Sequence, residues 1–245
     1  MKTIIILLLL LPSANAWNWQ THKTFADAFY YSVDENIREK IDLYALEEGS
    51  IVPDKDFKDF RRHSYPLAVG EAEKWIALTE QALVQQEYTN ASFYFGIASH
   101  YIADVFSAPH GVSGEPQNLH SLYENQAEKR YEYAGCIKSP VDLENMMHQG
   151  FQEGATWGQW LKTKNPDLPR LSAKRAFLSL EAVGLHVWHG ECQARKTEIK
   201  KVNVLLLPST ILKLALVVTA MMMVAISLYK DVRKLSKRVP LATPE

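Results

Sequence analysis

The stretch GIASHYIADVFSAPHGVSGEPQNLHSLYE, Gly96 to Glu124, carries His100, Asp104, His110, His120 and Glu124. The first two and the last two are each four residues apart, and on a helix residues at that spacing project from one face, one turn above the other. The pattern predicts two helices that each present an imidazole beside a carboxylate. Between them Pro109, Gly111, Gly114 and Pro116 predict a loop that delivers His110. Imidazole and carboxylate are ligands that suit zinc. One such pair is ordinary in a helical protein, where histidines are mostly core or surface groups. Two pairs and a fifth histidine in one stretch mark a candidate metal site.

Outward from this stretch the chain reads as helices. Apolar residues recur at helical spacing over 21–45, predicting one or two helices, and Gly49 and Pro53 break 49–59 into a loop. Further helices are expected over 68–87, 89–106, 118–132, 141–161 and 172–189. The helix over 89–106, opening at an Asn or Thr cap, is nearly apolar except on the face of His100 and Asp104. Burying it takes those two polar groups inside, where they need partners. Strand-type alternation is nowhere sustained. The fold class is all-α, a single helical domain over residues 17–200.

The 245 residues are 47% hydrophobic and 22% charged, enough for one domain with a sizeable core. The hydrophobicity is concentrated at the two ends. Residues 1–16, MKTIIILLLLLPSANA, combine a lysine, an apolar run and a small-x-small cleavage site, the pattern of a secretory signal peptide. Cleavage after Ala16 makes Trp17 the amino terminus. A transmembrane helix is expected over 203–229, where the run TILKLALVVTAMMMVAISLY approaches the ~20 residues that cross a bilayer. Only Lys213 interrupts that run, close enough to one end to snorkel. The basic KDVRKLSKR that follows places 230–245 in the cytoplasm. The expected topology is an exported, single-pass membrane protein with its domain outside. A GPI signal is disfavoured because 230–245 follow the hydrophobic run.

Cys136 and Cys192 are the two cysteines, and an exported body favours a bridge between them. Residues 17–200 hold 19 Lys and Arg against 26 Asp and Glu, a net charge of −7. Such a surface repels a polyanion unless bound cations compensate locally.

Three more candidate ligands lie upstream: His22, Asp54 in GSIVPD, and His63 in RRHSYP. With Trp17 the order is a terminal Trp, His five later, a PD loop, His, H-x3-D-x5-H, then H-x3-E. This set resembles the zinc-dependent phospholipase C family and its relatives, the S1/P1-type nucleases, over most of 17–124. The resemblance implies a helical domain of that type holding three zinc ions. One would take Asp54, His63, His100 and Asp104. A second would take the amino group and carbonyl oxygen of Trp17 with His22, sharing Asp104 as a bridge. The third would take His110, His120 and Glu124. His148, His186 and His189 fall outside this set and are expected to be structural or surface residues.

Phosphodiester cleavage needs a nucleophile at neutral pH and neutralisation of phosphate charge, and paired metals supply both. Asp54, if loosely held by metal, could also accept the proton of the attacking water. An α-amino group, with a pKa near ~8, yields its proton to a metal more easily than lysine does. The Trp17–His22 gap and the Asn118-Leu119-His120 triplet look like the nuclease branch, which acts on single-stranded nucleic acid. The GSIVPD loop, Glu124 and the short gap between His110 and His120 look like the phospholipase branch. The acidic body and the tether beside a bilayer favour a phospholipid substrate. A zinc-stabilised, membrane-anchored binding protein without turnover is the further alternative, since ligands alone do not prove catalysis. Trp19, Trp75, Trp157, Trp160 and Trp188 are expected mainly in the core or at its rim. Asn90-Ala91-Ser92 is a glycosylation sequon.

Overall fold

Helix α5, Tyr88–Asp104, is buried on every side from Phe95 onward, and the other elements wrap it. The computed structural model describes residues 19–127 and 141–190. The described residues all fall in one unit, Met1–Lys196, and the second unit, Thr197–Glu245, lies outside them. The expected signal peptide, Trp17, the span over 203–229, the tail and both cysteines also lie outside the described residues. Among the described residues no helix is long and apolar enough to cross a membrane.

The helices run α1 Trp19–Ser32, α2 Glu35–Arg38, α3 Leu43–Gly49, α4 Leu67–Val84, α5, α6 Gln117–Asn125, α7 Leu143–Phe151, α8 Trp157–Thr163 and α9 Asp167–Val187. No strand occurs among the described residues, as the sequence pattern predicts. The stretch over 21–45 divides further than expected. Asp34 and Asp42 each cap a new helix by accepting a backbone N–H three residues on, which ends the preceding segment. The cap expected for α5 is not used. Thr89 instead donates its hydroxyl to the Asp42 carboxylate at 3.1 Å, and Glu87 stands at the N-cap without a side-chain bond. The single helix expected over 141–161 is broken by a 3-10 turn, Gln152–Thr156. There Gly154 packs on Gly111, so closely that a Cβ on it would stand 2.8 Å from the Gly111 carbonyl oxygen.

Aromatic and branched residues of α1, α5 and α9 make the main core, with the rings of Phe29 and Phe95 5.0 Å apart. A smaller cluster of Tyr123, Trp157 and Trp160 holds α6 against α8, the two indoles stacked at 5.0 Å. The crossing of α3 and α5 is closer than side chains allow. A Cβ on Gly96 would lie 2.3 Å from the Leu46 carbonyl oxygen, and one on Gly49 2.1 Å from that of Phe93. That contact brings the backbone just after α3 against the buried face of α5, which positions the site.

Candidate metal centre

His100 and Asp104 occupy the last turns of α5, both fully buried. The Nδ1 of His100 donates to the carbonyl of Ser50 at 2.7 Å, a bond that the glycine crossing makes possible. A carbonyl only accepts, so the proton is on Nδ1 and Nε2 faces inward. That Nε2 lies 3.1 Å from Asp104 Oδ2 and 3.8 Å from Asp54 Oδ1. Asp54 sits in the π-helical turn Pro53–Phe57. His63 follows the 3-10 turn Phe60–Arg62 and places Nδ1 2.8 Å from Asp104 Oδ2. From α1, His22 stacks its ring on His100 at 3.9 Å and sets Nε2 3.2 Å from Asp104 Oδ1.

A second group adjoins the first. His110 sits in the 3-10 turn Ala108–Gly111, whose carbonyl at residue 110 accepts from the Ser64 hydroxyl at 2.6 Å. Its Nε2 lies 3.4 Å from Glu124 Oε1, and His120 Nε2 lies 2.9 Å from the same oxygen. Ser107 also donates to that oxygen, at 2.7 Å. The expected ligands from His22 to Glu124 thus meet in one place, and Trp17 alone lies outside the described residues. Three sets converge, the candidate ligand atoms of each within 4.8 Å of one another: His22, Asp54 and His100; His63, Asp104 and His110; and His110, His120 and Glu124. The third set is the one expected, while the first two cut across the expected groupings because all of them surround Asp104. His148, His186 and His189 are exposed and belong to none of the sets.

Asp104 and Asp54 keep both carboxylate oxygens buried without a hydrogen bond, and so do His22 Nε2, His110 Nε2 and Glu124 Oε2. Unpaired buried polar atoms cost several kcal/mol each, and clustered acceptors with imidazole nitrogens are the donor set of a zinc site. The residues therefore fit zinc. Burial alone would raise Asp104, but His100, His110 and His22 hold its carboxyl well below the ordinary range. Glu124 is likewise lowered, burial being outweighed by His120 and His110. Asp54 goes the other way: burial raises it, and Asp104 adds to the shift against the pull of His100. Burial lowers His63 and His120, yet Asp104 and Asp54 carry the first, and Glu124 and Glu115 the second, to about 9. His100 is lowered by burial and by His22 beside it.

The sequence model described as zinc dependent phospholipase C matches residues 21–167, more than half of the chain. The chain belongs to the zinc-dependent phospholipase C family. No curated protein matches it. The matched region spans the residues from His22 to Glu124 brought together here, and the all-helical architecture agrees with that zinc-dependent family. Beside them opens a cavity of about 400 Å³, bordered by Asp54, His110 and His120 and also by Trp19, Phe60 and Glu115. A larger cavity of about 760 Å³, between α7 and α9, holds none of these candidate ligands. Trp157, Trp160 and Trp188 are core residues, and Trp19 is exposed at the cavity.

Several side chains that hold the zinc-type ligands were not read from the sequence. Asp59 accepts from His63 Nε2 at 3.2 Å, and its other oxygen accepts from the Tyr101 hydroxyl at 2.8 Å. Glu115 Oε1 lies 3.2 Å from His120 Nδ1. Such partners fix the ring and its tautomer so that the remaining nitrogen points at the metal. Asp59 carried a signal, since it precedes His63 by the same four residues that pair His100 with Asp104. The Ser50 carbonyl carried none, because any residue has one.

Proposed function

We propose that the chain is a phospholipase C-like phosphodiesterase that cleaves a phospholipid to diacylglycerol and a phosphorylated headgroup at a three-zinc centre. The observation that carries this reading is the division of Asp104. Its Oδ1 faces His22 at 3.2 Å, while its Oδ2 faces His63 at 2.8 Å and His100 at 3.1 Å. A carboxylate with each oxygen turned to a different set of imidazoles suits a bridge between two ions. Under this reading His63, His100 and Asp54 complete one site, His22 and the Trp17 terminus the other, and His110, His120 and Glu124 hold the third ion.

Zinc bound there supplies charge neutralisation at the phosphate and water made acidic enough to attack at neutral pH. Asp54, buried where it borders the cavity, would hold its ion loosely through one oxygen and accept the proton of the attacking water with the other. Trp19 and Phe60, both exposed, give the cavity an apolar margin at its mouth. The domain is exported, its amino terminus set by cleavage before Trp17, and held at the membrane by residues 203–229. The acidic body supports lipid over nucleic acid, since a polyanion meets repulsion away from the cations of the site.

The test is elemental analysis of the purified protein followed by turnover of phosphatidylcholine and of single-stranded DNA side by side. Close to three zinc ions and release of diacylglycerol are expected. Cleavage of DNA alone would move the chain to the nuclease branch, and full zinc with neither activity would make it a binding protein.

A further inference from the structure

Residues 55–67 run past the cavity, which Phe60 and Ser64 border, and most of their side chains other than the buried His63 are exposed. Phe57 is 44% exposed, Phe60 59% and Leu67 54%. Phe57 has one face stacked on Trp75 at 5.7 Å, and Phe60 borders the cavity itself. Lys55, Lys58, Arg61 and Arg62 of the same stretch are exposed as well. The stretch is therefore basic in a body whose net charge is −7 over residues 17–200. Of its two acids, Asp59 is taken up by His63 and Tyr101, which leaves Asp56. Lys55 pairs with Glu48 and Arg62 with Glu71, whereas Lys58 and Arg61 have no carboxylate partner among the described residues. Large apolar side chains left in water next to unpaired cations mark an interaction surface.

We infer that residues 55–67 are a membrane-docking face that seats the cavity mouth on an anionic lipid bilayer. Phe57, Phe60 and Leu67 enter the headgroup layer, and Lys58 and Arg61 meet lipid phosphates. The order Lys-Asp-Phe-Lys-Asp-Phe-Arg-Arg sets a cation beside each aromatic, which matches a surface where phosphate lies directly above acyl chain. The cavity that Phe60 borders then opens at the depth of a phospholipid's phosphate. The inference rests on the phospholipid reading for its purpose, though docking itself can be measured without turnover.

The experiment uses the zinc-loaded full chain in nanodiscs of mixed phosphatidylcholine and phosphatidylserine, and in amphipol without lipid. Hydrogen–deuterium exchange over 55–67 is expected to slow several-fold in the bilayer and to recover in the Lys58→Glu/Arg61→Glu variant. That variant should lose roughly thirtyfold or more in its attraction to anionic lipid, at the usual contribution of each basic residue, read as a higher phosphatidylserine fraction at half-maximal hydrolysis. Its rate on a monomeric short-chain phosphatidylcholine should be unchanged. Equal exchange in bilayer and amphipol, or a variant that exchanges and turns over as the parent does on both substrates, overturns the docking face. Protection without hydrolysis of any phospholipid keeps the docking face and removes the enzymatic reading. Normal hydrolysis of the monomeric substrate without protection does the reverse.

Discussion

Asp59 takes the Nε2 of His63 at 3.2 Å, which leaves the imidazole only Nδ1 to turn toward Asp104. Asp59 is itself steadied by the Tyr101 hydroxyl. A partner of this kind sets both the orientation of a ligand and its basicity, and losing it usually weakens metal binding on the order of 10- to 100-fold. Asp59→Asn, which keeps the shape and removes the charge, is expected to lower zinc affinity by roughly that factor. Tyr101→Phe should do less, because Asp59 keeps its bond to the ring. Competition with a chelator reads both, and an Asp59→Asn affinity equal to the parent's removes Asp59 from the centre.

Asp104 and Glu124 are both buried carboxylates among histidines, but they are expected to fail differently. Asp104 faces His22 through one oxygen and His63 and His100 through the other, while Glu124 serves His110 and His120. Asp104→Asn should therefore lose two ions and nearly all activity, and Glu124→Gln one. Metal analysis of the two purified variants decides the matter, and unchanged zinc in Asp104→Asn rules out a bridge.

The pH behaviour of the metal-stripped protein follows from His63 and His120, both raised to about 9 by neighbouring carboxylates. A folded pKa above the unfolded value near ~6.5 means that the charged imidazoles stabilise the fold below that pH. That contribution, on the order of a few kcal/mol, fades as pH rises toward 9 and is gone above it. Zinc needs the neutral ring, so metal binding at neutral pH should release protons, and fewer as pH approaches 9. Indicator-dye titration in weak buffer measures the release. No dependence of proton release on pH between 7 and about 9 would contradict these assignments.

Gly96 and Gly70 offer a matched comparison within neighbouring helices. A Cβ on Gly96 meets the Leu46 carbonyl at 2.3 Å, whereas one on Gly70 meets nothing within 4 Å. Gly96→Ala should force α3 and α5 apart, costing roughly 3 kcal/mol, and should draw the Ser50 carbonyl off His100. Gly70→Ala should gain about 1 kcal/mol, from helix propensity alone. Chemical denaturation of both, with zinc content alongside, separates the crossing from a general intolerance of alanine.

How much of this was legible in the sequence depended on whether a feature is carried by side-chain order or by backbone contact. The spacing of His100/Asp104 and His120/Glu124 gave the two ligand-bearing helices directly, because period and chemistry coincide there. The class of fold followed from apolar spacing, and the long helices were placed to within a few residues. The breaks were harder. The turn at 152–156 exists because Gly154 meets Gly111 across the fold, and no local pattern in 141–161 announces that. Thr89 read as a cap for its own helix, yet it bonds to Asp42, which is 47 residues away. The grouping of ligands was blurred for a similar reason, since Asp104 stands amid four imidazoles and sequence order does not say which oxygen serves which.

Export and activation are coupled if Trp17 offers a free amine to zinc. His22 Nε2 and Asp104 Oδ1, 3.2 Å apart, would supply two ligands to an ion there, and zinc ordinarily takes about four. Trp19 opens α1, three residues before His22, and borders the cavity. In an uncleaved precursor the Trp17 nitrogen is an amide, a poor ligand, and sixteen further residues would crowd the site. The precursor is expected to hold fewer ions and to stay nearly inactive. Bulky replacements at Ala14 and Ala16 should block processing and reproduce that state. One residue inserted before Trp17, with cleavage preserved, should have a milder effect because it moves the amine without removing it. Mass spectrometry fixes each amino terminus, after which zinc content and turnover are measured. Full zinc and full activity with Trp17 still in peptide linkage would take the terminal amine out of the centre and leave the ion beside His22 to find its ligands elsewhere.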